Sequence, residues 1–275
     1  MHNFVNNKAL KKGRLFLKKP KLFYRMFGSP NNYPPKFGHE VIKNVFYFGE
    51  TITLDCNQYV ILDEHTRELA LFDSGNGISL NSLFEGMKKY NLDFEDITKV
   101  FITHEHVDHV LGLYPLMEKL KNSPPKIYAY KETAKILKQG EQSKIFPGEL
   151  GITPRMFGIN IIPLKVEELS DKEGVKFGSS FVFNVHYTPG HSQGSVCFYE
   201  PNKKILIAGD LVFVGGSFGR FDFPGGSLKH LIESIKFVST LDVNILLPGH
   251  MDISKNGNLD IEKSVRMIQS MGRFL

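Results

Sequence analysis

The chain has 275 residues, of which 41% are apolar and 23% charged, an ordinary globular composition with enough length to bury a preformed cleft. Two isolated cysteines, Cys56 and Cys197, exclude a disulfide framework and a thiolate metal cluster, and read as small core residues in a reducing compartment, the cytoplasm. No apolar run is long enough for a transmembrane helix, and the first residues lack the apolar segment of a signal peptide.

The net charge of +5 averages two unlike parts. Residues 1–39 hold nine Lys or Arg and no acidic residue, whereas the remainder holds 25 basic and 29 acidic residues. Residues 1–38 therefore read as a basic N-terminal extension, and residues 39–275 as the folded domain. NNYPPKFG, with its paired prolines, is the linker between them. Such an arm can pack its Leu and Phe residues on the domain, or meet an acidic partner such as RNA or a phospholipid surface.

In chain order, VFYFG (45–49), QYVILD (58–63) and ELALFD (68–73) are apolar runs bounded by turn residues and read as strands. SLNSLFEGMKKYNL (79–92) places Leu80, Leu83, Phe84 and Met87 on one side of a helix. KVFIT (99–103) is a strand, and VLGLYPLMEKLK (110–121) a helix expected to be interrupted at Pro115. KIYAY (126–130) is a strand, followed by a short helix that ends at Gly140. The second half repeats the style. FVFNVHYT (181–188), SVCFYE (195–200), KILIAG (204–209) and NILLPG (244–249) read as strands, and 227–241 and 261–271 as helices. Two strand-rich halves, each with helices, predict two sheets packed face to face with helices outside, an α/β fold.

The chemistry gathers where the strands end. KVFIT runs into THEHVDH, which puts His104, His106, Asp108 and His109 within six positions. Three more apolar runs deliver His191, Asp210 and His250 at their ends. A cation needs ligands from several elements, because no single turn surrounds it. The spacing predicts two adjacent sites, with His104, His106 and His191 around one ion, Asp108, His109 and His250 around the other, and Asp210 bridging. Imidazole and carboxylate together suit Zn, Fe, Mn or Co better than Ca or Mg. Glu105 points the opposite way in an extended chain and is expected to face solvent or to support the ligands from behind. His186 reads as structural.

THEHVDH resembles the THxHxDH motif of the metallo-β-lactamase superfamily. TPGHSQGS, AGD and LPGH resemble its later motifs, and LFDSG its first, whose Asp is here Asp73. The resemblance implies a four-layer αβ/βα sandwich with a dinuclear site at its edge, two divalent ions per chain with zinc foremost and iron or manganese as alternatives, and Asp73 steadying a ligand-bearing loop. GRFDFPGG (219–226) is similar to a segment of glyoxalase II-like hydrolases. That implies hydrolysis of a small thioester or ester, with Asp108 orienting the attacking water or taking its proton, and Arg220 meeting an acidic substrate group or a structural partner. Only 25 residues follow His250, too few for the helical domain with which glyoxalase II binds glutathione. Two other readings share the scaffold: a mononuclear iron persulfide dioxygenase, which carries a related GRxDF segment, and a tRNase Z-like nuclease using the basic arm on RNA.

Overall fold

The structure is a computed structural model, and residues 34–51, 54–146 and 151–271 are described here. The basic extension therefore lies almost wholly outside the described residues.

The first half forms strands β1 (Gly38–Ile42), β2 (Val45–Phe48), β3 (Gln58–Leu62) and β4 (Leu69–Phe72), then helix α1 (Leu80–Lys88) and strand β5 (Ile97–Ile102). Helices α2 (Val107–Val110) and α3 (Leu113–Lys119), strand β6 (Lys126–Tyr130), helices α4 (Lys131–Gln139), α5 (Gln142–Ile145) and α6 (Pro154–Phe157), and strand β7 (Val166–Leu169) follow. The second half holds β8 (Gly174–Phe177), β9 (Phe181–Tyr187), β10 (Val196–Glu200), β11 (Ile205–Gly209), α7 (Leu228–Val238), β12 (Ile245–Pro248) and α8 (Gly257–Met271).

Seven strands pair in the order β1-β2-β3-β4-β5-β6-β7, and five in the order β12-β11-β10-β9-β8. The first sheet is antiparallel from β1 to β4 and parallel from β4 to β7. Strands this apolar must bury both faces. In β4, Ala70 and Phe72 face the second sheet, while Leu69 and Leu71 face the helices. Between the sheets, Phe72 stacks on Phe101 at 5.0 Å and meets Phe198 edge-on at 5.2 Å. Outside, α1, α3 and α4 cover the first sheet, and α7 and α8 cover the second. The result is the four-layer αβ/βα sandwich.

Strands β1, β7 and β8 and the short helices α5 and α6 are not evident in the sequence. β7 (VEEL) exposes its two central glutamates and lies at a sheet edge, so it lacks the apolar signature of its neighbours. The break in the expected helix 110–121 also moves. It falls at Gly112, and Pro115 sits in the first turn of α3, where a missing N–H leaves no helical hydrogen bond unmade.

Gly112 is required because the chain crosses the 74–75 backbone there. Its N–H donates to the Gly75 carbonyl at 2.8 Å, and a Cβ would lie 1.9 Å from the Ser74 carbonyl oxygen. Gly112→Ala must displace one of these backbones, for a cost of about 1–3 kcal/mol or more. Urea unfolding of the variant beside the parent measures it; an unchanged midpoint would mean that the crossing is loose.

Lys36 belongs to the folded unit by packing. It is fully buried and pairs with buried Asp55 at 2.7 Å.

Candidate metal centre

Several elements that end at one edge of the sandwich contribute a side chain there. Asp73 follows β4, His104 follows β5, and His106 to His109 enter and form α2. His191 lies in the β9–β10 connection, Asp210 follows β11, and His250 follows β12.

Asp73 takes a left-handed backbone (φ 57°), which Asp tolerates, and turns its buried carboxylate back over the β5 end. One oxygen accepts from the Thr103 N–H at 2.8 Å, and the other from the Thr103 hydroxyl at 2.8 Å and His109 Nδ1 at 2.9 Å. The Thr103 hydroxyl, used as a donor, accepts from His104 Nδ1 at 3.1 Å. These bonds set the tautomers. Each ring gives its Nδ1 proton to the scaffold and turns its Nε2 toward the cluster. His191 does the same, donating Nδ1 to the Arg220 carbonyl at 2.6 Å. His250 donates Nδ1 to Glu50 at 2.9 Å.

The presented atoms converge into two groups. The nitrogens of His104, His106 and His191 lie within 4.8 Å of one another, with His106 Nδ1 2.8 Å from His191 Nε2. Ligand atoms of Asp108, His109 and His250 form the second set within the same limit. Asp210 stands between: Oδ1 is 3.4 Å from His109 Nε2, and Oδ2 is 3.5 Å from His191 Nε2 and 3.2 Å from His250 Nε2. Gly249 permits this approach, since a Cβ there would lie 2.2 Å from Asp210 Oδ1.

The donor set fits divalent cations. His104 Nε2, His109 Nε2 and Asp210 Oδ1 are buried without a hydrogen-bond partner, a costly arrangement for polar atoms unless something binds them. Three imidazoles in one set, and two imidazoles with a carboxylate in the other, are borderline-soft ligands of the kind that hold Zn or Fe.

Protonation follows the same division. Burial, reinforced by neighbouring rings, holds His104 well below its ordinary value and brings His191 down to about 4. Burial also lowers His106. Burial opposes charge on His109 and His250 too, but Cys56 and the surrounding carboxylates at His109, and carboxylates at His250, overcome it and hold both well above the ordinary value. Asp108 is likewise penalised by burial, yet His109 and His250 pull it down to about 2. Protons on His109 and His250 thus balance carboxylates that a cation can balance instead.

A sign follows for the metal-free protein. His191 binds its proton near pH 4 when folded and near 6.5 when unfolded. Its contribution is complete above pH 6.5 and is lost as pH falls through 4, about 3 kcal/mol in all. The raised His109 and His250 act oppositely, with stability complete below pH 6.5 and lost above it. Chelator-treated protein is therefore expected to be most stable near pH 6.5. Denaturant unfolding at pH 4.5, 6.5 and 8 checks this; a monotonic rise with pH would contradict it.

The structure also supplies partners that the sequence hid. Glu50 lies 200 positions from His250, and one of its oxygens accepts from the Met251 N–H at 3.1 Å. Glu105 takes the second of its two expected places, behind the cluster and away from solvent. It is 5% exposed and accepts from the Thr133 hydroxyl at 2.9 Å and the Ser192 hydroxyl at 3.0 Å, tying the β5 end to the His191 loop. Cys56 and Cys197 are buried free thiols, and Cys56 sits beside Asp73 and His109. Arg220 is half-exposed, makes two contacts of 2.9 and 2.7 Å to Asp222, and lies over the Phe223 ring.

A four-layer αβ/βα sandwich with a histidine–aspartate cluster for divalent cations at its edge defines a class of metal-dependent proteins. The chain belongs to the metallo-beta-lactamase superfamily, whose family model matches residues 52–250. Members of this superfamily are typically hydrolases. The chain is 30% identical over 153 residues to "Probable metallo-hydrolase YqgX" of Bacillus subtilis, covering 55% of this chain and 67% of that one. It is 28% identical to "Hydroxyacylglutathione hydrolase GloC" of Haemophilus influenzae over 67% of this chain and 80% of that one. Among solved structures, TTHA1623 in a di-iron-bound form matches with a TM-score of 0.60 and 27% identity, over 76% of this chain and 94% of that one.

Proposed function

We infer that this protein is a dinuclear metallo-hydrolase of small thioesters or esters. The observation that carries the reading is Asp210, whose two oxygens reach toward histidines of both ligand groups. The di-iron form of TTHA1623 and the name of the GloC relative support it.

His104, His106 and His191 would hold one cation, Asp108, His109 and His250 the other, and Asp210 would bridge them. Such cations supply Lewis acidity for a carbonyl oxygen and lower the pKa of a water toward about 7. Zinc is the first candidate, with iron and manganese as alternatives. The chain's own groups do the rest. Asp108 lines the cavity, where its carboxylate orients the attacking water or takes its proton. Asp73, Thr103, Glu50 and the Arg220 carbonyl lock the histidine rings, so that little reorganisation accompanies the reaction.

The buried free thiols suit a reducing cytoplasm, and no helix among the described residues is long and apolar enough to cross a membrane. Residues 1–38 are read as a basic arm on a hydrolase domain of 39–275, an arm whose last residues, from Lys36, pack into that domain. RNA binding through this arm would show steep salt dependence.

Metal content of protein purified without added metal, followed by thioester assays, tests the reading. About two ions per chain with thioester turnover is expected. One iron per chain with oxygen consumption on a persulfide would replace it with the dioxygenase reading.

A further inference from the structure

The cluster forms the floor of a cavity of about 330 Å³. Its walls are unlike its floor. Leu54, Val107, Phe213, Phe218, Phe223 and Met251 line it, and Arg220 is the one basic chain-wall residue beside the histidines. The Arg220 charge is already matched. Its guanidinium meets both oxygens of Asp222 at 2.9 and 2.7 Å and rests 4.2 Å from the centre of the Phe223 ring. Two of its three guanidinium nitrogens are thus engaged by a carboxylate of the chain itself, which offsets its pull on a substrate anion.

We propose that this cavity selects thioesters or esters with an apolar acyl chain, seated against Phe213, Phe218, Phe223 and Met251, and that Arg220 with Asp222 shapes the wall without reading an anionic substrate group. The proposal rests on the hydrolase reading above. The volume is at the small end of ligand sites, which encloses an acyl group and leaves the thiol carrier at the mouth. A polar acyl group would lose water against apolar walls with few partners in return, whereas each methylene gains by leaving water.

The reaction balances simply. Water oxygen bonds to the acyl carbon and the C–S bond breaks with its electron pair on sulfur; one water proton ends on the thiol, the other is released to solvent as the acid leaves as carboxylate, and no oxidation state changes.

Metal-loaded protein would be assayed on acetyl, butanoyl and hexanoyl thioesters of N-acetylcysteamine, and on lactoylglutathione. kcat/KM is expected to rise about fourfold per methylene, the factor equivalent to about 0.8 kcal/mol per buried CH2, and to level once the cavity fills. Phe213→Ala should cut the hexanoyl-to-acetyl ratio about tenfold, and Phe223→Ala, at a half-buried position, is the second variant should the first fold poorly. A flat series, or lactoylglutathione as the best substrate, would overturn the proposal. Thermal shifts with sodium hexanoate and sodium acetate read the cavity without turnover. A larger shift with hexanoate supports the apolar seat even if no thioester is cleaved, in which case only the hydrolase reading fails. Equal shifts count against the seat.

Discussion

Asp210→Ala is expected to lower kcat/KM for any thioester substrate by about 10³-fold and to lower bound metal in parallel. The carboxylate is the link between the two ligand groups. Oδ1 is buried with no hydrogen-bond partner and 3.4 Å from His109 Nε2, and Oδ2 approaches His191 and His250. Without it, each group keeps three donors, but nothing holds the two groups in register and the negative charge between them is gone. The Lewis-acid contribution to such a reaction is several kcal/mol, and each 1.4 kcal/mol is about tenfold in rate. Asp210→Asn keeps the volume and removes the charge. It should keep the fold by circular dichroism while losing metal, which separates loss of ligation from collapse. Full metal content with full activity in either variant would sink the ligand assignment.

The second large effect is on stability. Lys36→Ala is expected to destabilise the folded protein by about 3–5 kcal/mol, because it strands a buried carboxylate. Lys36 and Asp55 are both fully buried and 2.7 Å apart, and the ammonium also donates to the Cys56 carbonyl at 3.1 Å. Asp55 in turn accepts from the Thr51 N–H at 3.2 Å and the Ser79 hydroxyl at 2.8 Å. This network ties Thr51, Asp55 and Cys56 to Ser79 at the start of α1, and Thr51 adjoins Glu50, the partner of His250. Metal affinity should therefore fall with stability. The double variant Lys36→Met/Asp55→Leu should be less destabilised than either single change, since a buried pair replaced by apolar residues leaves no stranded charge. Denaturant unfolding of Lys36→Ala, Lys36→Met, Asp55→Leu and the double variant decides it; a single-variant loss below about 1 kcal/mol would show that water reaches Asp55.

Much of the site can be read in the sequence, for a local reason. THEHVDH compresses four polar side chains where an apolar strand must end, and the strands 204–209 and 244–249 each end on another, so the period of the strand and the residue after it suffice. The layers are equally local in origin, because runs such as LALF and ILIAG bury both faces and demand cover on each side. The core strands and the longer helices stand where periodicity puts them.

What sequence reading does not reach is which distant groups meet. Glu50 joins His250 across 200 positions, Glu105 turns inward to Ser192 across 87, and Asp55 receives Lys36 across the start of the fold. Gly112, not Pro115, breaks the helix, because the Ser74 backbone passes beside it. A polar residue's own neighbours in sequence do not reveal its partner. Burial removes water as the alternative, and the packing of the two sheets then decides which donor meets which acceptor. Strand ends and ligand types were thus determined along the chain itself, whereas the orientation of each histidine, the charge balance among them and the apolar walls above them were decided by the tertiary structure alone.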